Sequence, residues 1–478
     1  MNQNIASFER ESVSRGLQRR LFRAWLGCAL AVGFLFFESF AFFAHSAQAA
    51  ESRPNIIIVL ADDLGVGDVH CFGGKVPTPN LDAMAREGTR FTQFYVASPI
   101  CSPSRCALIT GQFPARWQIT SYLQTRKGNR ACEQADFLDP GAPSLPRALK
   151  SAGYATMHVG KWHLGGGRDV TNAPKFAAYG YDIGYGTYES PEPHPDITAT
   201  NWIWSPRDKV KRWERSHWMV DRTLEFLRPH TNRPCFVNLW FDDVHTPWIP
   251  TKEVQDDTSQ RGDTRKNLRP VLTEMDREIG RLLKTLRETG VASNTLVLFF
   301  GDNGPLPPFQ QERTAGLRGS KLSLYEGGIR EPFIAWWPGH VRADAVDTNS
   351  VLNAVDLFPT LAGLAGVEMK ERIVGDGEDV SGVLFGKSFT RNKPMFWEYG
   401  RNTNSFAFPG IAKNRSPNVA LRDGSWKLLV NADGTGAELY DLARDPNETR
   451  DVSGENRDVV ERLKNAALKW RASLPKLP

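Results

Sequence analysis

The sequence predicts an α/β protein with a large mixed, mostly parallel sheet between helices, followed by a small antiparallel sheet with a terminal helix. Short apolar runs such as 56–60 and 236–241 have the character of strands that are buried on both faces. Segments with helical spacing separate these runs, including LRPVLTEMDREIGRLLKTLRETG, which ends at Gly290. Such alternation is typical of a parallel sheet. From about Lys393 onward, short strand-like segments precede one last helical pattern.

The N-terminal segment 1–50 has the composition of a secretory signal peptide. Basic residues precede an apolar stretch from Trp25 to Ala44, and Ala47-Gln48-Ala49 forms an A-x-A cleavage site. Because the stretch approaches the ~20 residues that span a bilayer, an uncleaved anchor is the alternative. We expect cleavage, export to the periplasm or the extracellular space, and no stable membrane span afterwards.

Composition limits the classes of function. The chain has 41% hydrophobic and 24% charged residues, and its formal net charge is +5. So small a surplus gives no reason to expect a nucleic-acid partner. No CxxC spacing supports a zinc site. Beyond the N-terminal segment five cysteines remain, and because five is odd one of them must stay unpaired: Cys71, Cys101, Cys106, Cys132 and Cys235.

Polar residues follow four of the predicted strands at the point where each strand ends. Asp62 and Asp63 follow the first strand, and Asp302 and Asn303 follow a later one. The other two strands deliver basic groups, which are Lys161, His163 and His245. Because parallel strands send their carboxyl ends to one edge, where ligands bind, we expect these side chains to converge. Each cluster taken alone could also be a turn.

The acidic cluster offers only oxygen ligands: Asp62, Asp63, Asp302 and Asn303. Oxygen ligands suit a hard divalent cation, with calcium the preferred candidate and magnesium the alternative, rather than zinc. Several cationic side chains accompany this cluster, including Arg105 and the loop residue Lys321. Such a surplus of cations suits a tetrahedral oxyanion, either a sulfate or a phosphate.

Two segments carry a specific family resemblance. CSPSRCALITG, which begins at Cys101, resembles the first signature of the type I sulfatases, and GYATMHVGKWHLGG resembles the second. The ADD and GDNG segments, GLRGSKLSLYEGGIREPFI and the C-terminal LRDGSWKLL also resemble sulfatase blocks, in the order of the family. The resemblance implies an alkaline-phosphatase-like fold, with a sulfatase catalytic domain at 51–390 and a small α+β subdomain at 391–478.

The resemblance also implies that Cys101 is converted to formylglycine by a formylglycine-generating enzyme. One hydroxyl of the hydrated aldehyde would attack sulfur, and the second would serve to expel sulfate afterwards. The four oxygen donors named above would bind the metal. Arg105 would hold the hydrate or the carboxylates. The alternative chemistry for Cys101 is a disulfide with another cysteine.

The remaining basic residues receive roles from the same resemblance. Lys161 would steady the hydrate, and His163 would accept the proton of its second hydroxyl. His245 and Lys321 would bind the sulfate. We favour His245 as the donor of a proton to the leaving alcohol, since the ordinary pKa of histidine suits proton donation.

The substrate class rests on a stretch rich in aromatic residues: Tyr185, Tyr188, Trp202, Trp204, Trp213 and Trp218. These side chains either stack on sugar rings or fill the core. Together with export and the sulfatase motifs, they favour a sulfated glycan over a small aryl sulfate. Two alternatives are a formylglycine-dependent phosphonate or phosphodiester hydrolase and a non-catalytic receptor for sulfated glycans.

Overall fold

A central sheet organises the computed structural model, which describes residues 53–230, 232–254, 264–306, 309–367 and 375–476. The predicted signal segment 1–50 therefore lies outside the described residues. In chain order, the strands of this sheet are β1 (Asn55–Ala61), β2 (Thr89–Tyr95), β3 (Ala155–Gly160), β4 (Ile183–Gly186), β5 (Cys235–Phe241), β6 (Thr295–Gly301), β7 (Arg330–Trp336), β8 (Ala345–Asp347) and β9 (Leu352–Asn353).

The spatial order of the strands is β4-β3-β5-β1-β6-β7-β2-β8, and β9 pairs with β2. All pairs among β4, β3, β5, β1 and β6 are parallel. Strand β7 is antiparallel to both of its neighbours, β6 and β2. The sheet is therefore mixed and mostly parallel, and the four strands with polar ends, β3, β5, β1 and β6, are adjacent.

Helices cover both faces of the sheet. In chain order, the α-helices of the described residues are α1 (Pro79–Glu87), α2 (Cys101–Thr110), α3 (Arg126–Ala131), α4 (Leu145–Ser151), α5 (Arg215–Leu227), α6 (Arg265–Glu288), α7 (Gln310–Arg313), α8 (Glu326–Ile329), α9 (Leu357–Leu364), α10 (Ser381–Leu384) and α11 (Arg457–Ala472).

Two hydrophobic cores lie on opposite faces of the sheet. Ile56, Ile58 and Leu60 of β1 belong to one core, while Ile57 and Val59 belong to the other, as the alternation of side chains along a strand requires. Helices α2, α4 and α9 contribute to the first core, and α1, α5 and α6 to the second.

The long helix predicted up to Gly290 is α6. Thr264 caps its first turn, because the threonine hydroxyl accepts a hydrogen bond from the backbone N–H of Asn267. Leu272 and Ile279 are fully buried on the face that packs against the sheet. Gly290, with a φ of 74°, follows the helix in the left-handed conformation that favours glycine.

A second, antiparallel sheet lies near the C-terminus, with strands β10 (Met395–Glu398), β11 (Val419–Asp423), β12 (Trp426–Val430) and β13 (Glu438–Asp441) in that order. Helix α11 packs on it through Val460, Leu463 and Trp470, which share a core with β11 and β12. The predicted fold class is thereby confirmed. The described residues from Arg53 onward group into one compact unit, and the domain division at 390/391 stays a prediction.

Of the helices in the described part of the chain, none combines the length and the apolar character required to cross a membrane.

Candidate active site

Two acidic pairs meet at the carboxyl edge of the central sheet. Asp62 and Asp63 follow β1, and Asp302 and Asn303 follow β6, the parallel neighbour of β1. The backbone N–H of Asp63 donates to Oδ1 of Asp302 at 3.0 Å, and Nδ2 of Asn303 donates to Oδ1 of Asp63 at 2.8 Å. All four side chains are buried. The sheet thus brings together the four residues that the sequence predicted as metal ligands.

Helix α2 carries Cys101 and Arg105 into the same place. Every residue of this helix is buried, and Cys101 is its first residue. One turn later, Arg105 donates from Nε to Oδ2 of Asp302 at 2.9 Å, and its Nη2 lies 3.3 Å from Oδ1 of Asp62. The guanidinium also donates to the backbone carbonyl of Lys161. Arg105 therefore ties α2 to the ends of three strands.

Two lysines face the carboxylates. Nζ of Lys161 lies 2.7 Å from Oδ2 of Asp62 and 3.5 Å from Sγ of Cys101. Nζ of Lys321 lies 2.6 Å from Oδ1 of Asp63. The sequence offered no strand to fix the position of Lys321. Its loop is instead held by backbone bonds, including one from the N–H of Lys321 to the carbonyl of Pro305 at 2.9 Å.

The two histidines are held through one ring nitrogen each. Nε2 of His163 lies 3.0 Å from the carbonyl oxygen of Leu123, and its buried Nδ1 has no hydrogen-bond partner among the described residues. Nδ1 of His245 lies 2.6 Å from the carbonyl oxygen of Thr246, and its Nε2 lies 3.6 Å from Oδ2 of Asp63. Each ring therefore donates to a carbonyl, which leaves its other nitrogen unprotonated when the imidazole is neutral.

Burial and charge set the protonation states. Burial lowers the pKa of His163 to about 3 and also lowers the pKa of His245, so both rings are neutral at neutral pH. Although burial opposes ionisation of Asp62, the nearby Lys161 holds the pKa of that carboxyl well below its usual range. Burial raises the pKa of the Cys101 thiol to about 12, so the unmodified side chain is not a thiolate nucleophile.

The donor set fits a hard cation. Oδ1 of Asp62 and Oδ1 of Asn303 are buried oxygens without a hydrogen-bond donor among the described residues. Ligand atoms of Asp62, Cys101 and Asp302 lie within 4.8 Å of one another, and so do those of Asp63, Cys101 and His245. Buried carboxylate and amide oxygens that lack a hydrogen-bond donor suit calcium or magnesium rather than zinc.

All five described cysteines are free thiols. The structure therefore does not support the alternative in which Cys101 forms a disulfide.

A cavity of about 590 Å³ opens over this cluster. Among its lining side chains are five that the sequence predicted: Cys101, Lys161, His163, His245 and Lys321. Of the six aromatic residues proposed for sugar binding, Tyr188 and Trp202 also line it, and Trp202 is 58% exposed. Tyr185 instead packs against Trp218, with ring centroids 6.0 Å apart.

Sequence reasoning missed four polar or aromatic residues of the cavity wall, which are Tyr122, Arg168, Glu189 and Thr246. Arg168 donates to a carboxylate oxygen of Glu189 at 2.7 Å. Glu189 lies in the loop after β4, outside every strand and helix that the sequence predicts, and no spacing rule connects it to the cluster. Only the path of that loop brings it to the cavity.

Comparison with known proteins agrees with the site. The sulfatase family model matches residues 54–367, and the model of the N-sulphoglucosamine sulphohydrolase C-terminal region matches residues 320–473. The chain is 28% identical to the N-acetylgalactosamine-6-O-sulfatase of Bacteroides thetaiotaomicron over 86% of this chain and 92% of that protein. It is 34% identical to the N-acetylgalactosamine-6-sulfatase of Sus scrofa over 73% of this chain and 69% of that protein.

A solved structure supports the same assignment. The crystal structure of Ps i-CgsB in complex with k-i-k-neocarrahexaose superposes with a TM-score of 0.70 at 25% identity, over 88% of this chain and 93% of that chain. The family model alone covers well over half of the sequence. The chain therefore belongs to the sulfatase family and is a sulfuric ester hydrolase.

Proposed function

We propose that the protein is an exported sulfatase that removes sulfate from a sulfated carbohydrate, with hydrated formylglycine made from Cys101 as its nucleophile. The observation that carries this proposal is the position of Cys101, which begins a buried helix at the base of the cavity. Its sulfur lies within 4.8 Å of ligand oxygens of Asp62 and Asp302 and 3.5 Å from Nζ of Lys161.

A divalent cation, with calcium preferred over magnesium, would be held by four side chains: Asp62, Asp63, Asp302 and Asn303. When bound, it supplies Lewis-acid polarisation of the nucleophile and of the sulfate. Arg105 orients two of these carboxylates through its guanidinium. The positive charge of Lys161 favours a partly ionised hydroxyl on the residue derived from Cys101.

The histidines would move protons at opposite ends of the reaction. Nδ1 of His163 is unprotonated and buried, and it suits acceptance of the proton from the second hydroxyl of the hydrate. His245 and Lys321 line the cavity beside Asp63 and would bind the sulfate oxygens. Protonation of the leaving alcohol is assigned to the cationic form of His245, which carries a proton on Nε2 while its Nδ1–H donates to the carbonyl of Thr246.

A sugar substrate is supported by the cavity wall and by the relatives. The rings of Tyr188 and Trp202 lie 6.0 Å apart, and the exposed face of Trp202 offers a surface on which a pyranose ring can stack. The two relatives are named N-acetylgalactosamine-6-O-sulfatase and N-acetylgalactosamine-6-sulfatase, and the solved structure is described as a complex with k-i-k-neocarrahexaose. Galactose-type sugars with a sulfate ester are therefore the first substrates to assay.

The experiment compares the enzyme with Cys101→Ala, after coexpression with a formylglycine-generating enzyme. We expect a hydrazide-reactive aldehyde on the Cys101 peptide, turnover of sulfated monosaccharides by the parent enzyme, and no turnover by C101A. Cys235→Ala is the matched control, because Cys235 is an equally buried thiol at the start of β5 and does not line the cavity. An unmodified Cys101 in a fully active enzyme would exclude formylglycine.

The same assay separates the remaining alternatives. Matched aryl sulfate, phosphonate and phosphodiester substrates give three values of kcat/KM, and we expect the sulfate value to be the highest. A higher value for either phosphorus ester would overturn the proposal. A receptor for sulfated glycans would bind sulfated sugars without turning them over in any form.

A further inference from the structure

One carboxylate of the cavity wall has no role in the reaction described above. Glu189 is 6% exposed, and its Oε1 meets three polar groups. Nη2 of Arg168 donates to it at 2.7 Å, and the hydroxyl of Tyr188 donates at 2.9 Å. Nε2 of His163 lies 3.3 Å from the same oxygen. Glu189 also lies outside all of the motifs that resemble sulfatase signatures.

This carboxylate is ionised despite its burial. Desolvation opposes its charge, but His163, Lys161 and Arg168 together lower the pKa of Glu189 to about 2. An ionised carboxylate can only accept hydrogen bonds. A negative charge therefore sits beside the imidazole ring throughout the neutral pH range.

The surroundings of His163 decide which ring nitrogen carries the hydrogen. Nε2 faces the carbonyl oxygen of Leu123 at 3.0 Å and the carboxylate of Glu189 at 3.3 Å, and both of these groups are acceptors. Nε2 must then be the protonated nitrogen, and Nδ1 keeps its lone pair. The other charged groups that act on this ring are Lys161 and Arg168, both positive, and they disfavour a cationic imidazole.

We propose that Glu189 is a positioning residue that, together with the carbonyl of Leu123, keeps His163 in the Nε2–H tautomer and offsets the positive charge that His163 acquires when Nδ1 accepts a proton. The proposal rests on the function proposed above. The proton moves from the second hydroxyl of the sulfated hydrate to Nδ1, the electron pair it leaves forms the C=O bond of the aldehyde, and the C–O bond to the sulfate group breaks, which releases sulfate. The hydrogen on Nε2 stays where it is. Arg168 holds the carboxylate in place by its bond to Oε1.

The first test is nitrogen NMR of the unmodified, cysteine-bearing protein labelled at histidine, with the His163 signals assigned by loss in His163→Gln. In the parent protein we expect Nε2 protonated and Nδ1 unprotonated at neutral pH. In Glu189→Met, which has a side chain of similar length without an acceptor, Nε2 keeps only the carbonyl of Leu123, which also accepts from Nη1 of Arg168 at 2.7 Å. We therefore expect a measurable share of His163 to carry its hydrogen on Nδ1. Glu189→Gln keeps an acceptor oxygen and should retain the parent tautomer.

The second test is the kinetics of the formylglycine form on an aryl sulfate. We expect E189Q, which loses only the charge, to lower kcat about 10-fold, and E189M to lower it about 100-fold, because general-base catalysis contributes about 10²–10⁴-fold. KM should change little, since Glu189 does not contact the groups assigned to the sulfate. Arg168→Gln breaks the same ion pair but leaves the carboxylate beside His163, and it should keep the parent tautomer.

Glu192→Gln is the matched control from the same loop. Its carboxylate accepts from the backbone N–H of Phe176 at 3.0 Å and does not line the cavity, so both the tautomer and kcat should stay unchanged. Three results would each overturn the proposal. They are an unchanged tautomer in E189M, equal losses of kcat in E189M and R168Q, and a kcat of E189Q within twofold of the parent value. Failure of the parent enzyme to hydrolyse sulfate esters would contradict the proposed function instead, and the NMR result would still be readable.

Discussion

Replacing Lys321 by methionine removes the cation that faces Asp63. Nζ of Lys321 lies 2.6 Å from Oδ1 and 2.7 Å from Oδ2 of that carboxylate, and the two side chains are 7% and 0% exposed. Breaking a buried ion pair from one side costs about 3–5 kcal/mol, because the other charge stays buried. For a unit of this size the unfolding entropy is about 0.9 kcal/mol per kelvin, so we expect Tm to fall by about 3–6 °C without added metal.

Calcium should separate the structural role of Lys321 from its role toward substrate. A divalent cation supplies positive charge beside Asp63, so calcium should restore most of the lost Tm in Lys321→Met. Activity should stay low, because a lost oxyanion donor costs about 2.7–4 kcal/mol, which is about 10²–10³-fold in kcat. The assays are thermal unfolding with and without calcium and aryl sulfate kinetics.

Lys284→Met is the control for this prediction, because Lys284 forms an exposed pair with Glu288 at 3.7 Å. Such a pair contributes about 0.5 kcal/mol or less. A kcat of K321M close to that of the parent enzyme, or a Tm equal to that of K284M, would refute the reasoning.

Three further predictions follow from the same contacts. Asp302→Asn removes one ligand charge and should weaken calcium binding at least about 10-fold by calorimetry; unchanged affinity would exclude Asp302 as a ligand. His245→Asn should slow sugar sulfates more than nitrophenyl sulfate, whose leaving group needs no proton. Because a general acid must be protonated and burial lowers the pKa of His245, turnover of sugar sulfates by the parent should fall as pH rises through that lowered pKa, and H245N should lose this dependence. Lys427→Met leaves Glu326 and Glu448 without the ammonium that lies 2.9 Å from each, so urea unfolding should show a loss of about 3–5 kcal/mol, whereas a loss below 1 kcal/mol would contradict this.

The convergence of the polar strand ends could be predicted from sequence because it follows from a general rule. Residues 56–60 and 296–300 are apolar enough to identify buried parallel strands, and such strands end at one edge. Asp62 and Asp302 therefore meet, although 240 residues separate them in the chain. What the apolar runs could not predict is strand order, and in particular that β7 lies antiparallel between β6 and β2.

Loop residues of the site were harder to predict, since no periodicity fixes a loop. Lys321 reaches Asp63 because backbone bonds to Pro305 and from Leu322 to Pro99 hold its loop. Glu189 reaches His163 through the loop after β4. In both cases the position depends on contacts between segments that are distant in sequence, and those contacts become visible only in three dimensions.

The charges of the site favour a monoanionic ester. Three carboxylates face three permanent cations, and these six side chains are Asp62, Asp63, Asp302, Arg105, Lys161 and Lys321. Burial raises the pKa of Asp302 to about 7, but a bound cation favours the ionised form of this carboxyl. With Asp302 ionised and both histidines neutral, the six groups have no net charge, so a divalent cation would leave two positive charges for the nucleophile and the substrate to neutralise. An ionised hydroxyl and a sulfate monoester carry one negative charge each and meet this requirement.

A phosphate monoester carries up to two negative charges, and the excess negative charge would be buried at the base of the cavity, where an unpaired charge costs several kcal/mol. Sulfate monoesters should therefore be turned over faster than matched phosphate monoesters. The difference should widen in Lys321→Met, because the lost cation stabilises a dianionic ester more than a monoanionic one.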